Sequence, residues 1–102
     1  MSPTEPRVTL QVLKVLNAIM RADGLELSGA DIASVTGLKS GTLYPILLRL
    51  EGAKWLSSRW EEVAPREVGR PRRRLYRATA VGAVCATQAT KEIIALGALS
   101  WA

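Results

Sequence analysis

The residue type in this sequence with the clearest chemical potential is arginine, and most of the arginines lie in one short stretch. Six of them fall between positions 66 and 77, at Arg66, Arg70, Arg72, Arg73, Arg74 and Arg77. A guanidinium group is permanently charged and donates paired hydrogen bonds, which suits it to phosphates and to narrow minor grooves. This stretch therefore indicates a polyanionic partner.

The positive charge of the chain is concentrated in the same region. The 102 residues hold 14 Lys and Arg against 9 Asp and Glu, which gives a net charge of +5. Residues 39–77 contain ten cations and four acids, so all the surplus lies there. A solvated charged face usually mixes both signs. Contact with nucleic acid is thus favoured, and an ordinary solvated face remains the alternative.

Several kinds of chemistry lack the residues that they need. The chain has no histidine and a single cysteine, Cys85, which leaves no histidine base, internal disulfide or cysteine-based zinc site. There is neither a glycine-rich phosphate loop nor a paired-carboxylate site, so we expect no enzyme, cofactor or metal centre. No long apolar run and no signal peptide are evident, and we expect a cytoplasmic protein.

Hydrophobic spacing predicts three helices ahead of the arginine stretch. The first spans about 7–22 and has two apolar faces, so both of its sides need cover. Ser28 is a suitable N-cap for a short second helix that ends near Gly37. Ser40 is the expected N-cap of a third helix over 41–53. Two short helices joined by a tight turn are typical of a helix-turn-helix.

The remaining residues predict a hairpin and a final helix. Strands are expected at 55–63 and 72–79, joined by a Pro- and Gly-containing loop at 64–71. The hairpin forms a wing with a basic tip. Thr79 is the expected N-cap of a last helix that runs to about Trp101, a length of about 33 Å.

The predicted fold is mainly α (α+β), a winged helix-turn-helix with the order helix-helix-helix-strand-strand-helix. Residues 1–79 form the DNA-binding domain, which includes the N-terminal helix. Residues 80–102 form a dimerisation helix within the same compact domain. A chain of this size benefits from a partner subunit because it buries only about two thirds of its unfolded surface.

Four runs of residues resemble the PadR-like family of transcriptional regulators. They are LSGADIA at 27–33, SGTLYPILLRLE at 40–51, WLSSRWEE at 55–62 and GRPRRRLYRAT at 69–79. The likeness is greatest to the compact members with a single C-terminal helix. The resemblance implies a bacterial winged-helix repressor that dimerises through its first and last helices. It also implies that the third helix enters the major groove and that the wing follows the backbone.

The residues expected to contact DNA belong to the start of the third helix and to the wing. They are Lys39, Ser40, Gly41, Thr42, Tyr44, Arg59, Arg66, Arg70, Arg72 and Arg74. Small residues and free amides at a helix N-terminus allow a phosphate to approach. The alternative to a DNA contact for Tyr44 is packing against the wing. Arg49 is expected to form an ion pair with an acidic residue. Arg72 and Arg74 are expected to face DNA in preference to Arg73.

The dimer is expected to form through apolar residues of the first and last helices. These are Val8, Val12, Leu16, Val84, Ala89, Ile93 and Leu96. In some members of the family, aromatic residues on the last helix line a pocket for flat ligands, which makes Trp101 a candidate effector residue. A dimer contact or a frayed terminus is the alternative for Trp101, whereas Trp55, Trp60 and Cys85 are expected to serve packing.

The sequence as a whole predicts a homodimeric, sequence-specific DNA-binding regulator. We expect a repressor that binds double-stranded DNA at an inverted repeat, associates with the nucleoid and is released by a small aromatic ligand at the dimer interface. The alternative is a winged-helix module for protein–protein interaction. The basic wing argues against that alternative, and steep salt dependence of DNA binding discriminates between the two.

Overall fold

The computed structural model describes residues 6–97 of the chain. Five helices and three strands occupy this part. In chain order they are α1 (Leu10–Arg21), β1 (Leu27–Ser28), α2 (Gly29–Thr36), α3 (Ser40–Gly52), β2 (Leu56–Trp60), α4 (Pro65–Val68), β3 (Arg74–Ala78) and α5 (Ala80–Ala95). This is the predicted order with one short strand and one single-turn helix added.

Helix α1 occupies the centre of the fold. It begins three residues later than predicted because Thr9 is its N-cap, with the Thr9 hydroxyl accepting a hydrogen bond from the Val12 N–H at 3.2 Å. Contacts with α2, α3, β3 and α5 cover α1 on several sides. The two apolar faces of α1 are therefore covered largely within the chain itself, and only Leu10 among its large apolar residues is exposed.

The helix-turn-helix consists of α2 and α3. Ser28 caps α2 as predicted, in a reciprocal capping box with Asp31, and Gly37 ends α2 in the left-handed conformation at φ 75°. The prediction for Ser40 was wrong. Lys39 occupies the N-cap position of α3 without a side-chain hydrogen bond, and Ser40 is the first helical residue. The Ser40 hydroxyl is therefore not used as the cap of this helix.

The sheet has three antiparallel strands in the order β1-β3-β2. Tyr76 on the central strand pairs with Leu27 on one side and with Ser58 on the other. The sequence did not predict β1, because a strand of two residues is too short to show an alternating pattern. The pairing of Leu27 with Tyr76 nevertheless fastens the start of α2 to the wing.

The connection between β2 and β3 is more ordered than the predicted loop. Pro65 begins the one-turn helix α4, and Gly69 ends it in the left-handed conformation at φ 69°. Proline at the start and glycine just past the end are the usual signals for such a turn. Both predicted strands are shorter in the structure, since the ladder runs only from the Leu56–Ala78 pair to the Trp60–Arg74 pair.

Helix α5 packs closely against the start of the wing. The Thr79 hydroxyl donates to the Lys54 carbonyl at 2.6 Å and accepts from the Gly82 N–H at 2.9 Å. A β-carbon at Gly82 would overlap the Trp55 carbonyl. The helix ends at Ala95, with Gly97 in the left-handed conformation at φ 76°. It is thus shorter than predicted, about 24 Å, and Trp101 lies outside the described residues.

One apolar core joins all the larger elements. It consists of Val12, Val15, Leu16, Ile19, Ile32, Leu43, Ile46, Leu47, Leu50, Trp55, Leu56, Tyr76 and Ala86. Trp55 is a core residue, as expected, and Cys85 packs against the core at half burial. Within residues 6–97, no helix is long and apolar enough to cross a membrane. The core fixes α3 against the sheet and so fixes the distance between α3 and the wing.

Candidate nucleic-acid interface

Helix α3 buries one face and presents the other to solvent. The buried face consists of Leu43, Ile46, Leu47 and Leu50, as the spacing predicted. At the start of the helix, Lys39, Ser40 and Gly41 are exposed and Thr42 is half-buried. Leu48 continues the exposed face at 75% exposure. The residues predicted to contact DNA from the start of this helix are thus open to solvent.

Tyr44 spans the space between α3 and α2. Its side chain is 48% exposed, and its hydroxyl lies against Gly29 so closely that a β-carbon at Gly29 would overlap it. The expected alternative for Tyr44 was packing against the wing. The structure shows contact with the first residue of α2, with the tyrosine still open to solvent. Gly29 therefore provides the space that the Tyr44 ring occupies.

A cleft of about 410 Å³ lies where α2, α3 and the wing converge. Its lining residues are Ser28, Gly29, Ala30, Tyr44, Trp60, Arg70, Pro71, Arg72, Arg73, Arg74 and Tyr76. At its buried side, burial raises the pKa of the Tyr76 hydroxyl. The cleft brings together four of the predicted DNA-contact residues, Tyr44 from α3 and Arg70, Arg72 and Arg74 from the wing. Tyr44 lies far from the three arginines in the sequence.

Arg70 does not project freely from the wing. Its guanidinium forms an ion pair with the Glu61 carboxylate, which also accepts the Arg73 backbone N–H at 2.9 Å. The hydrogen bonds from Arg70 and from the Arg73 N–H lower the pKa of Glu61, and the same pair raises the pKa of Arg70. The sequence predicted that Arg70 contacts DNA from the wing. The structure places it against the wing because Glu61 lies within reach.

Arg72, Arg73 and Arg74 differ in the contacts that their side chains make with the rest of the protein. Arg74 donates to the Ser58 hydroxyl at 2.9 Å and lies over the Trp60 ring at 5.3 Å from its centroid. Arg72 is exposed and donates to the Val63 carbonyl at 3.3 Å. Among the described residues, the Arg73 side chain has no ion pair or hydrogen-bond partner. The expected preference for Arg74 over Arg73 is therefore not supported by their surroundings.

Three further predicted cations lie elsewhere. Arg66 is exposed on α4. Arg59 lies on the other side of the sheet from Trp60 and forms a two-point ion pair with Glu26, whose pKa the hydrogen bond from Arg59 lowers. Arg49 is exposed and has no ion pair within residues 6–97, contrary to the expected pairing with an acid. Arg59 is thus separated from the cleft.

The predicted dimerisation residues fall into three groups. Val84 and Leu96 are 70% and 84% exposed. Val8, Ala89 and Ile93 are half-buried. The assignment of Val12 and Leu16 was wrong, because both are buried in the core of the chain itself and cannot form an outer surface. Further apolar residues of α5 are exposed at Val81 and Ile94.

The sequence matches a known family over most of its length. The family model described as the Transcriptional regulator PadR-like family matches residues 12–88. The matched region begins in α1 and ends within α5, so it includes the helix-turn-helix and the whole wing. No curated protein matches the chain in sequence.

Solved structures with the same winged-helix fold include regulators from several bacteria. A PadR family transcription regulator from Clostridium difficile R20291 superposes with a TM-score of 0.73 at 20% identity, over 89% of this chain and 94% of that one. Bacillus subtilis PadR in complex with operator DNA gives 0.64 at 19% identity, over 78% of this chain and 47% of that one. This chain thus covers only about half of the Bacillus protein.

Another such structure is Bordetella bronchiseptica BpsR. It gives a TM-score of 0.68 at 20% identity, over 97% of this chain and 72% of that one. DNA binding by BpsR is regulated by 6-hydroxynicotinic acid. At this level of identity the likenesses establish the fold. They confirm the predicted winged helix, including the pairing of a helix-turn-helix with a β wing.

Proposed function

Because the chain belongs to the PadR-like family of transcriptional regulators, we propose that it is a homodimeric repressor that binds an inverted-repeat operator. Family membership also confirms the prediction of a DNA-binding regulator rather than an enzyme. Such a repressor would act in the bacterial cytoplasm, on nucleoid DNA.

The proposal rests on the convergence of the α3 start and the wing arginines around one cleft. Tyr44 from α3 and the arginines at 70–74 line it together. Cations on the wing would neutralise backbone phosphates, while the exposed start of α3 would reach base edges. Bacillus subtilis PadR, which shares this fold, forms a complex with operator DNA, and this supports a DNA-binding role for the present chain.

Some residues of this surface would read the base sequence, and others would position the protein on the DNA backbone. Lys39, Ser40 and Thr42 are suited to base edges, since lysine reaches guanine acceptors and threonine offers a hydroxyl and a methyl group. Gly41 would allow the DNA backbone to come close. Tyr44 would hold a phosphate, because its ring lies against Gly29 while about half of the side chain remains exposed.

The wing cations would supply most of the sequence-independent affinity. Arg66 and Arg72 are exposed, and Arg73 is also exposed beside them. Arg74 lies over the Trp60 ring, so part of its role would be to hold that ring in place. Arg70 would join these contacts only when it is released from Glu61. Arg59 would not contact DNA and would contribute only to the positive electrostatic field around the wing.

The dimer would form through the exposed apolar side of α5. Val81, Val84 and Ile94 of α5, and Leu96 directly after it, are each more than half exposed. A group of exposed apolar residues is typical of a protein interface. Val8, Ala89 and Ile93 would lie at the edge of this dimer interface. A two-fold dimer presents two copies of α3, so the operator half-sites would lie about 10 base pairs apart or at a multiple of that spacing.

A small aromatic ligand would release the repressor from DNA. BpsR supports this part of the proposal, because 6-hydroxynicotinic acid regulates its DNA binding. The candidate residue is Trp101 at the end of the chain. Calorimetric titration of 6-hydroxynicotinic acid into the wild type and into Trp101→Phe tests the idea. Weaker binding to the variant supports it, and identical binding isotherms contradict it.

The salt dependence of DNA binding tests the central proposal. If a dimer neutralises about eight phosphates, the logarithm of affinity falls with the logarithm of salt concentration with a slope near −7. The double variant Arg66→Ala/Arg72→Ala should have a flatter slope and the same sequence preference in a binding-site selection. A shallow wild-type slope without sequence preference would favour the protein-interaction alternative.

A further inference from the structure

The acidic residue Glu61 occupies an unusual position within the basic wing. It follows β2 directly and lies opposite the turn that leads into β3, where its backbone N–H donates to the Arg73 carbonyl at 2.9 Å. Its carboxylate accepts two kinds of hydrogen bond, from the Arg70 guanidinium and from the Arg73 backbone N–H. One acidic side chain thus holds both a cation and the backbone at the wing tip.

The Arg70–Glu61 pair is more shielded from solvent than the Arg59–Glu26 pair. The side chains of Arg70 and Glu61 are 32% and 14% exposed, compared with 51% and 26% for Arg59 and Glu26. A second guanidinium nitrogen lies 3.4 Å from the other carboxylate oxygen, and Arg70 also donates to the Pro71 carbonyl at 3.2 Å. Water and salt therefore compete less effectively for this pair.

We propose that Glu61 is a positioning residue that withholds Arg70 from DNA phosphates and thereby lowers the affinity of the wing for any duplex. The inference builds on the proposed DNA-binding function. A phosphate at the cleft would have to displace the Glu61 carboxylate from Arg70, and displacement would leave a partly buried carboxylate without its cation. Arg70 therefore stays with Glu61 when the wing meets DNA, and the exposed arginines beside it make the phosphate contacts.

The variant Glu61→Gln separates this role from structural support. Glutamine keeps the shape of the side chain and an amide oxygen that accepts the Arg73 N–H. It removes the charge that holds Arg70. The matched control is Glu62→Gln, because Glu62 is the next residue, is exposed, and loses the same charge when changed. A difference between the two variants therefore reports the Arg70 contact rather than the net charge.

The measurement is the affinity for a short mixed-sequence duplex across a fourfold range of salt. We expect Glu61→Gln to bind more tightly than Glu62→Gln at low salt. Two added phosphate contacts in a dimer steepen the salt slope by about 2, so Glu61→Gln loses about tenfold more affinity than Glu62→Gln over that range. Adding Arg70→Ala to Glu61→Gln should remove the added steepness of the salt slope, because the guanidinium that Glu61→Gln releases is then absent.

The outcomes separate this inference from the proposed function. A wild type that binds no duplex contradicts the DNA-binding proposal before any variant is compared. If the wild type binds and the two glutamine variants have the same affinity and slope, Glu61 does not withhold Arg70. Weaker binding by Glu61→Gln would also overturn the inference, since it would mean that the ionised Glu61 supports the bound wing. Thermal unfolding of each variant verifies that the fold is intact.

Discussion

The guanidinium of Arg59 forms two hydrogen bonds with the carboxylate of Glu26, at 2.6 and 2.8 Å, across the outer side of the three-stranded sheet. Arg59 lies in β2, and Glu26 precedes β1, with the central strand β3 between them. The ion pair therefore ties both edges of the sheet together. It also directs Arg59 away from the cleft where Tyr44 and the other wing arginines meet.

This relationship predicts that Arg59 contributes less to DNA binding than the wing-tip arginines. Arg59→Ala should lower duplex affinity less than Arg72→Ala, because only Arg72 lies at the cleft. Both variants remove one positive charge, so each is a control for the other. Affinity measured by fluorescence anisotropy at one fixed salt concentration compares them. Equal losses for the two variants would show that position within the wing does not matter.

Gly41 offers a test of close approach by DNA to α3. A β-carbon at Gly41 meets nothing within 4 Å, and the same is true of Gly52 at the other end of α3. Alanine favours a helix over glycine by about 0.5–1 kcal/mol, so neither change should destabilise the fold. We expect Gly41→Ala to weaken duplex binding, since its methyl group would occupy the space that the DNA backbone enters.

Gly52→Ala is the matched control for that experiment. It makes the same substitution on the same helix, away from the exposed polar start of α3. Its duplex affinity should equal that of the wild type. Chemical denaturation provides the stability comparison for both variants. Wild-type affinity for Gly41→Ala would contradict a close approach of DNA at this end of the helix.

The dimer interface can be tested with a charge on α5. Val84 and Val35 are both exposed valines, at 70% and 68%, but Val35 lies on α2. Val84→Glu should give a monomer, because association would bury a carboxylate without a partner. Val35→Glu should remain dimeric. Sedimentation at micromolar concentration distinguishes the two species, and a wild type of only 11 kDa would contradict the proposed dimer from the start.

The capping box of α2 predicts a pH-dependent contribution to stability. The hydrogen bonds from the Ser28 backbone N–H and then from its side chain lower the pKa of Asp31. The ionised form therefore favours the folded state. Its contribution is present above the unfolded pKa of about 4 and is lost as pH falls through the lower folded value.

Asp31→Asn should accordingly be less stable than the wild type near neutral pH. The loss should be about 0.5 kcal/mol, since Asp31 is largely exposed and solvent screens its charge. Urea denaturation at neutral pH and at about pH 3 measures the difference, which should shrink at the lower pH. A difference that stays constant between the two conditions would rule out a role for the Asp31 charge.

Local interactions explain why much of this protein was predictable from its sequence. Ser28 and Asp31 are three residues apart, and Gly37 ends the same helix, so neighbouring residues are enough to define α2. The buried face of α3 follows from helical spacing, and the basic character of the wing follows from composition. The residue motifs in α2, α3 and the wing indicated the family that the match over residues 12–88 confirms.

Only the tertiary structure decided which of the arginines are engaged and which apolar residues are covered. Glu61 precedes Arg70 by nine positions and Glu26 precedes Arg59 by 33, and nothing in the local pattern relates these pairs. Likewise, Val12 and Leu16 became core residues because α2, α3 and α5 pack around α1. The physical reason is that an ion pair or a buried face depends on distances between elements, and folding sets those distances through contacts that are remote in the sequence.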